Sequence, residues 1–326
     1  MTRVHIVGAA GYAASEFMRL VLQDPRLELG AVESASHAGR PIAEHVPSLR
    51  RCERAFDPPG TLDATLAAGD VVVFGGGAES ARAQVPALVE RGARVIDLSD
   101  AFRLDGAASG AVYGLPERYR DALRNATLVA NPGCYPTATL LALLPLAPFA
   151  ADIVQLIVDA KSGVTGAGRT PATANLFAEV DGDVRAYGLA GHRHETEIVH
   201  ELAAVGIVAP LVFTPHVVPL ARGMLADCYA VFAKEPDDGA IEAAYADAYS
   251  NVAAVRVLPR ERAPSVAGVV GTNDAELHVS RVGRGVRVIA AIDNLGKGAA
   301  GQAMQNLTIM LGLPEESSLH DRAARV

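Results

Sequence analysis

Apolar positions along the first third of the chain come in short runs, each closed by a turn and followed by a helical pattern. Residues 4–7 form such a run and stop at Gly8. Behind it, Phe17, Leu20 and Val21 recur at the spacing of one helix face. Residues 27–32 supply the next strand. The unit then repeats: Val71-Val72-Val73-Phe74, a Gly-rich turn, and an Ala-rich helix over 80–90. Residues 94–98 add another strand. Strands alternating with helices predict βαβ units and a parallel sheet.

Near Asn131 the rhythm changes. A helix is predicted over 136–144, and strands then follow at 153–159, 211–214, 225–233, 275–279 and 286–292. The last two flank Val282-Gly283-Arg284-Gly285, a tight hairpin signal. Sequential strands with few helices predict an α+β domain with a mostly antiparallel sheet. A last helix, over 299–311, is rich in Ala and Met and is expected to return to the first domain. The polar tail after Pro314 is expected to fray.

Composition narrows the function classes. A chain of 326 residues fits two domains at roughly 150 residues each. Half the residues are hydrophobic and a fifth charged, which excludes wholesale disorder. A net charge of −8 without a basic run argues against nucleic-acid binding, yet leaves room for one cationic cleft. Three cysteines, Cys52, Cys134 and Cys228, do not make a disulfide framework and favour a reducing compartment. The N-terminus enters a strand pattern at once, so no signal peptide is expected. No unbroken apolar run of about 18 residues predicts a membrane span, and the cytoplasm is the expected location.

Four stretches carry chemistry. Gly8-Ala9-Ala10-Gly11-Tyr12-Ala13-Ala14 sits between a strand and a helix, where small residues let backbone approach a pyrophosphate. After the second strand stands Glu33, suited to a ribose diol, but Ser34, Ser36 and Arg40 suit a 2′-phosphate instead. Asn131-Pro132-Gly133-Cys134 puts a cysteine after a tight turn at a helix start. Backbone N–H groups there favour a thiolate and can hold an oxyanion. Cys52 and Cys228 lack such a setting and read as structural. In Gly191-His192-Arg193-His194-Glu195-Thr196-Glu197, either histidine can serve as base, and Glu197 shares a helix face with His194. His192, His194 and His200 raise the question of a metal, but no second ligand cluster accompanies them, so none is expected. Finally, Lys161-Ser162-Gly163-Val164-Thr165-Gly166-Ala167-Gly168-Arg169 is a candidate anion- or cofactor-binding loop, and Arg103 follows a strand end where ligands collect.

Together these pieces resemble the N-acetyl-gamma-glutamyl-phosphate reductase family, within the larger aspartate-semialdehyde dehydrogenase group. The resemblance runs from Gly8 to about Leu313. Its most specific parts are residues 131–137, 161–169 and 192–197, joined by Phe213-Thr214-Pro215-His216 and by Asp293-Asn294-Leu295-Gly296-Lys297-Gly298. It implies an α/β Rossmann domain, residues 1–133 plus 295–326, that binds NADP(H). An α+β catalytic and oligomerisation domain, residues 134–294, is inserted in it. Cys134 resembles the acyl-accepting nucleophile, and His192 and His194 the acid–base and substrate-binding pair, with His194 favoured as base and Glu197 as its companion. Gly8, Gly11, Tyr12, Ala13, Ser34, Ser36, Ser162, Gly163 and Asn294 are the implied cofactor contacts. Arg103, Asn131, Lys161 and Arg193 are the implied substrate contacts. The implied substrate is a small acyl phosphate, the implied assembly a homodimer or homotetramer, with no nucleic acid, membrane or metal.

The chain departs from the family pattern at Ala13 and Ala14, at Ala35 where Arg is common, and at Gly75-Gly76-Gly77-Ala78-Glu79 where Leu-Pro-His-Gly is usual. Two other functions fit the same motifs. One is a sibling reductase for an aminoadipyl phosphate, one methylene longer. The other is a nucleotide-binding regulator without catalysis.

Overall fold

The computed structural model describes residues 1–315; most of the polar tail considered above lies outside the described residues. Up to residue 132 the strands are β1 (Thr2–Val7), β2 (Leu27–Glu33), β3 (Val71–Phe74), β4 (Arg94–Asp97), β5 (Val112–Tyr113) and β6 (Leu128–Ala130). Among them run the helices α1 (Tyr12–Val21), α2 (Ala78–Glu90) and α3 (Pro116–Arg124), with shorter helical turns between. Next come α4 (Cys134–Leu143), β7 (Ile153–Ser162), β8 (Arg185–Ala186), α5 (Arg193–Ala203), β9 (Leu211–Val217) and β10 (Met224–Phe232). These lead to α6 (Asp238–Tyr249), β11 (Val255–Val257), β12 (Ala275–Val282), β13 (Gly285–Ile292) and finally α7 (Gly301–Met310).

The chain divides into two compact units. One comprises Met1–Pro132 together with the described residues from Ala299 onward; the other is Gly133–Gly298. The first holds a six-stranded sheet in the order β2-β1-β3-β4-β6-β5, with every pairing parallel. That order reverses at β1, and its βαβ connections match the alternation in the sequence. Its larger core joins Val4, Ile6, Phe17, Met18 and Val73 to Ala303, Met304, Leu307 and Met310 of α7. The last helix is thus a core element of the first unit, and all ten of its residues are buried.

The second unit holds a seven-stranded mixed sheet, β11-β12-β13-β10-β7-β9-β8. Four of its pairings are antiparallel, and β11/β12 and β7/β9 are parallel. The hairpin read at Gly283-Arg284 joins β12 to β13, with Val282 opposite Gly285. One sheet face is covered by α4. The stretch Cys134–Asp152, which begins with α4, is apolar enough to cross a membrane by composition. In the fold every residue of α4 after Cys134 is buried, so this is a core helix. The other face alternates outward with Ile157, Asp159 and Lys161 on β7, opposite Tyr229, Asp227 and Leu225 on β10.

Two helices escape the hydrophobic pattern. Helix α3 reads Pro-Glu-Arg-Tyr-Arg-Asp-Ala-Leu-Arg and buries only Pro116 and Leu123, too thin a stripe to register as a period. Helix α6 is nearly uniform in Ala, Tyr and acids, and its buried face rests on Ile241, Tyr245 and Tyr249.

Candidate active site

Cys134 is the first residue of α4. Gly133 caps that helix in an extended conformation, with no side-chain cap and no acid in the first turn. The helix start therefore presents backbone amides and the positive end of its dipole beside the thiol. The Gly133 N–H donates to Glu197 Oε1 at 2.9 Å. A buried carboxylate on α5 thereby fastens the turn that carries the cysteine.

A cavity of about 330 Å³ opens at this point, lined by Cys134, Ser162, Gly163, Tyr187, His192 and His194 among others. The start of α5 supplies the histidines. His192 is its N-cap, and its Nδ1 accepts the backbone N–H of His194 at 3.1 Å. That bond requires His192 Nδ1 to be unprotonated. Burial, aided by neighbouring Arg193, holds the His192 imidazole below its ordinary range and favours that form. His192 caps the helix, and His194, its second residue, is buried on the face it shares with Glu197.

Aromatic rings wall the site. The His192 and His194 rings meet edge-on at 4.8 Å, and Tyr135 lies 5.8 and 5.9 Å from them. Tyr187 and Phe213 each lie 5.5 Å from His192. The Tyr187 hydroxyl donates to that of Tyr135, which donates to the His216 carbonyl. Burial pushes the Tyr135 phenol far up, with Tyr187 adding to the effect, so it stays a neutral donor. Arg185 and Arg193 also reach the cavity, and no carboxylate is among the described residues that line it. Arg185 is braced by Asp183 and by the carbonyls of Glu179 and Ala174.

The loop after β7 is pinned from behind. Asn294 Oδ1 accepts the Gly223 N–H at 2.7 Å, and its Nδ2 donates to Thr165 Oγ1 at 3.0 Å. Asn294 thus holds the loop bearing Ser162 and Gly163 rather than lining the cavity. Lys161 does not line it either. Strand alternation sends its ammonium to the other sheet face, 2.9 Å from Asp227 and 3.0 Å from Asp159. Partial burial pulls the Lys161 pKa down, but the bonds to Asp227 and Asp159 outweigh it and raise it overall. Cys228 is fully buried, with its thiol pushed up by burial and Asp227, as befits a structural cysteine.

The remaining expected residues lie in the first unit. Gly11 caps α1, and Tyr12 and Ala13 open it, again with no acid in the first turn. Gly8 has φ +71°, and a Cβ there would meet Gly75 backbone at 2.7 Å. The lack of a side chain at Gly8 is therefore what lets the loop after β1 touch the backbone of Gly75 and Gly76 after β3. Glu33 is 7% exposed, and its Oε1 accepts the Leu62 N–H at 2.6 Å. Ser34 and Ser36 follow it, their hydroxyls 3.5 Å apart. Arg103 Nε donates to the Asn131 carbonyl at 2.8 Å, and Nη2 to the Leu98 carbonyl at 3.1 Å. Asn131 is buried and saturated: its N–H meets Asp97 O, its Nδ2 Ala299 O, and its Oδ1 Asn306 Nδ2. It braces the chain just before the cysteine turn instead of offering a contact.

Sequence reasoning missed Arg185 and Tyr187, which fall in a stretch without periodicity; Tyr135 and Phe213 lie inside motifs quoted above, but their packing around the histidines does not show in the sequence.

Residues 3–126 match the semialdehyde dehydrogenase NAD binding domain, and residues 134–294 match the semialdehyde dehydrogenase dimerisation domain. An N-acetyl-gamma-glutamyl-phosphate reductase from Laribacter hongkongensis is 43% identical, covering 98% of each chain. The protein of that name from Nitrosospira multiformis is 41% identical, covering 97% of each. The fold is similar to that of aspartate semialdehyde dehydrogenase II from Vibrio cholerae, with a TM-score of 0.75 at 18% identity, over 96% of this chain and 98% of the other. With two domain models matched in order and full-length relatives above 40% identity, the chain belongs to the N-acetyl-gamma-glutamyl-phosphate reductase family of semialdehyde dehydrogenases.

Proposed function

We propose that the chain catalyses NADPH-dependent reduction of N-acetyl-γ-glutamyl phosphate to the 5-semialdehyde, through a thioester on Cys134. The observation that carries this reading is one cavity uniting a helix-start cysteine, a buried histidine and two arginines, with no carboxylate among its described lining residues. A substrate bearing both phosphate and carboxylate suits that charge.

Cys134 Sγ attacks the acyl carbon, and inorganic phosphate leaves with the electron pair of the broken C–O bond. The α4 N-terminus stabilises first the thiolate and then the oxyanion of the tetrahedral adduct. Arg193 and Arg185 hold the anionic groups of the substrate, and Arg103 is assigned to the phosphate. The dinucleotide, when bound, supplies the hydride that brings the thioester to the aldehyde oxidation level. His194 gives the developing alkoxide its proton, then takes the hydroxyl proton back as the C–S bond breaks. His192 positions His194 through the cap, and Glu197 positions Cys134 through Gly133.

The first unit fits the dinucleotide. Gly8 pressed on Gly75 bares the backbone, and α1 offers an acid-free N-terminus to a pyrophosphate. Glu33 is already engaged by Leu62, and serines follow it, which favours the 2′-phosphorylated form. Ser162 and Gly163 are assigned to the nicotinamide end. Self-association is assigned to the open sheet face around Ile157 and Tyr229, within the dimerisation-domain match.

The test runs the reaction backwards, with the semialdehyde, phosphate and NADP, following absorbance of the reduced nicotinamide. Phosphate-dependent reduction that vanishes in Cys134→Ser supports the reading. Unimpaired turnover in that variant, or no turnover by folded wild type, overturns it.

A further inference from the structure

Behind the loop that follows β7 stands an ion pair that no reaction step above uses. Asp293, just past β13, is fully buried, and both of its carboxylate oxygens are filled. Oδ1 accepts the Leu295 N–H at 2.9 Å and Arg222 Nε at 3.2 Å. Oδ2 accepts the Gly271 N–H at 2.7 Å and lies 2.8 Å from Arg222 Nη2. The guanidinium therefore grips the carboxylate by two of its nitrogens, which fixes direction as well as distance. Two backbone N–H groups would still hold Asp293 if Arg222 were lost.

Arg222 belongs to the turn 220–223, and that turn is the backing of the loop after β7. The Gly163 N–H donates to the Gly223 carbonyl and the Val164 N–H to the Leu220 carbonyl, each at 2.9 Å. Thr165 Oγ1 donates to the Ala221 carbonyl at 2.7 Å. A Cβ on Gly163 would stand 2.8 Å from the Leu220 carbonyl oxygen and 3.0 Å from the Arg222 nitrogen, so the two stretches touch backbone to backbone. Ser162, Gly163 and Val164 line the cavity on the other side. A rotation of the turn is thus passed to the cavity wall through bonds that leave little slack.

We propose that Arg222 is a positioning residue for the nicotinamide end of the cofactor: clamped by Asp293, it holds the turn 220–223 and through it the shape of the loop that receives the ring. The proposal rests on the assignment of Ser162 and Gly163 to the nicotinamide end. Arg222 acts through backbone, and its effect is confined to that half of the dinucleotide.

Calorimetric titration of the full chain with NADPH and with 2′,5′-ADP, which carries only the adenosine half, tests it. The rate at which iodoacetamide alkylates Cys134, read against a Cys134→Ser sample, is followed alongside. Arg222→Ala is expected to weaken NADPH about tenfold, with 2′,5′-ADP and alkylation each within about twofold of wild type. Arg222→Lys keeps a counter-charge for buried Asp293, which protects the fold, but loses the paired bonds; NADPH should weaken by about threefold. Thr165→Val cuts the same contact from the other side and is expected to do likewise. Unchanged NADPH affinity in folded Arg222→Ala overturns the proposal. Should that variant not fold, unchanged affinity in both Arg222→Lys and Thr165→Val overturns it. An equal loss for NADPH and 2′,5′-ADP, or alkylation falling in step with them, also overturns it, since that marks a general loosening. Binding of neither ligand by folded wild type overturns the dinucleotide reading itself, and this proposal with it.

Discussion

Gly298 offers the sharpest probe of the cysteine's placement. A Cβ built there would lie 2.8 Å from Cys134 Cβ, 3.3 Å from Cys134 Cα and 3.2 Å from the Asp293 carbonyl. Ordinary contact between carbons begins near 3.5 Å, so Gly298→Ala must push Cys134 away by roughly 0.6 Å or more. The thiol cannot retreat easily, because α4 behind it is buried throughout and Gly133 is tied to Glu197. Overpacking of this kind costs about 1–3 kcal/mol, offset by up to about 1 kcal/mol because alanine suits helical backbone better than glycine. The net loss of stability is then small, a Tm decrease of about 2–6 °C. Catalysis suffers more, since a displacement approaching 1 Å at a reacting atom can cost about a hundredfold. Steady-state kinetics of the semialdehyde oxidation should give kcat down about 10- to 100-fold, with KM for the dinucleotide within about twofold. Calorimetry on the same sample checks the fold. A kcat within twofold of wild type would refute the claim that Gly298 fixes the nucleophile.

Other outcomes follow from single contacts. The depressed pKa of His192 means the unfolded chain binds the extra proton first, so its contribution to stability is present above about pH 6.5 and is lost as pH falls through the lower folded value. His192→Asn keeps a capping acceptor without a titrating ring, so Tm between pH 5 and 7 should flatten relative to wild type; an unchanged slope would remove His192 as the cause. Glu197→Ala leaves the Gly133 N–H buried without its acceptor, which should cost about 1–3 kcal/mol in denaturant unfolding and lower kcat, whereas Glu197→Gln should restore most of both. Ile157→Arg puts a charge on the open sheet face and should shift the mass seen by light scattering toward the monomer; an unmoved oligomer would place the interface elsewhere.

Much of the fold was legible because buried strands and helices impose period on the sequence. The runs at 4–7 and 71–74 and the Gly283-Arg284 turn are local signals, and each became the element it predicted. Helix α3 was not legible, since its stability comes from neighbours and not from its own apolar stripe. At the site, Cys134 and the histidine pair announced themselves through a turn and a tight spacing. The capping role of His192 did not, because it depends on where its ring nitrogen points. Lys161 misled for a related reason. One residue of strand register separates it from Ser162, and register sends the two to opposite faces.

The place of α7 bears on how the chain is made. Ala303, Met304, Leu307 and Met310 lie in the same core as Val4, Ile6 and Phe17, yet the whole of Gly133–Gly298 is translated between them. At ordinary elongation rates that interval lasts about 10–30 s. During it the parallel sheet waits on the ribosome with one side of its core uncovered, while the inserted unit already has every strand of its own. The segment synthesised second is thus the one able to fold first, and the N-terminal sheet depends on a helix made only after that segment. A chaperone guarding this protein during synthesis would find its exposed surface at the beginning of the chain.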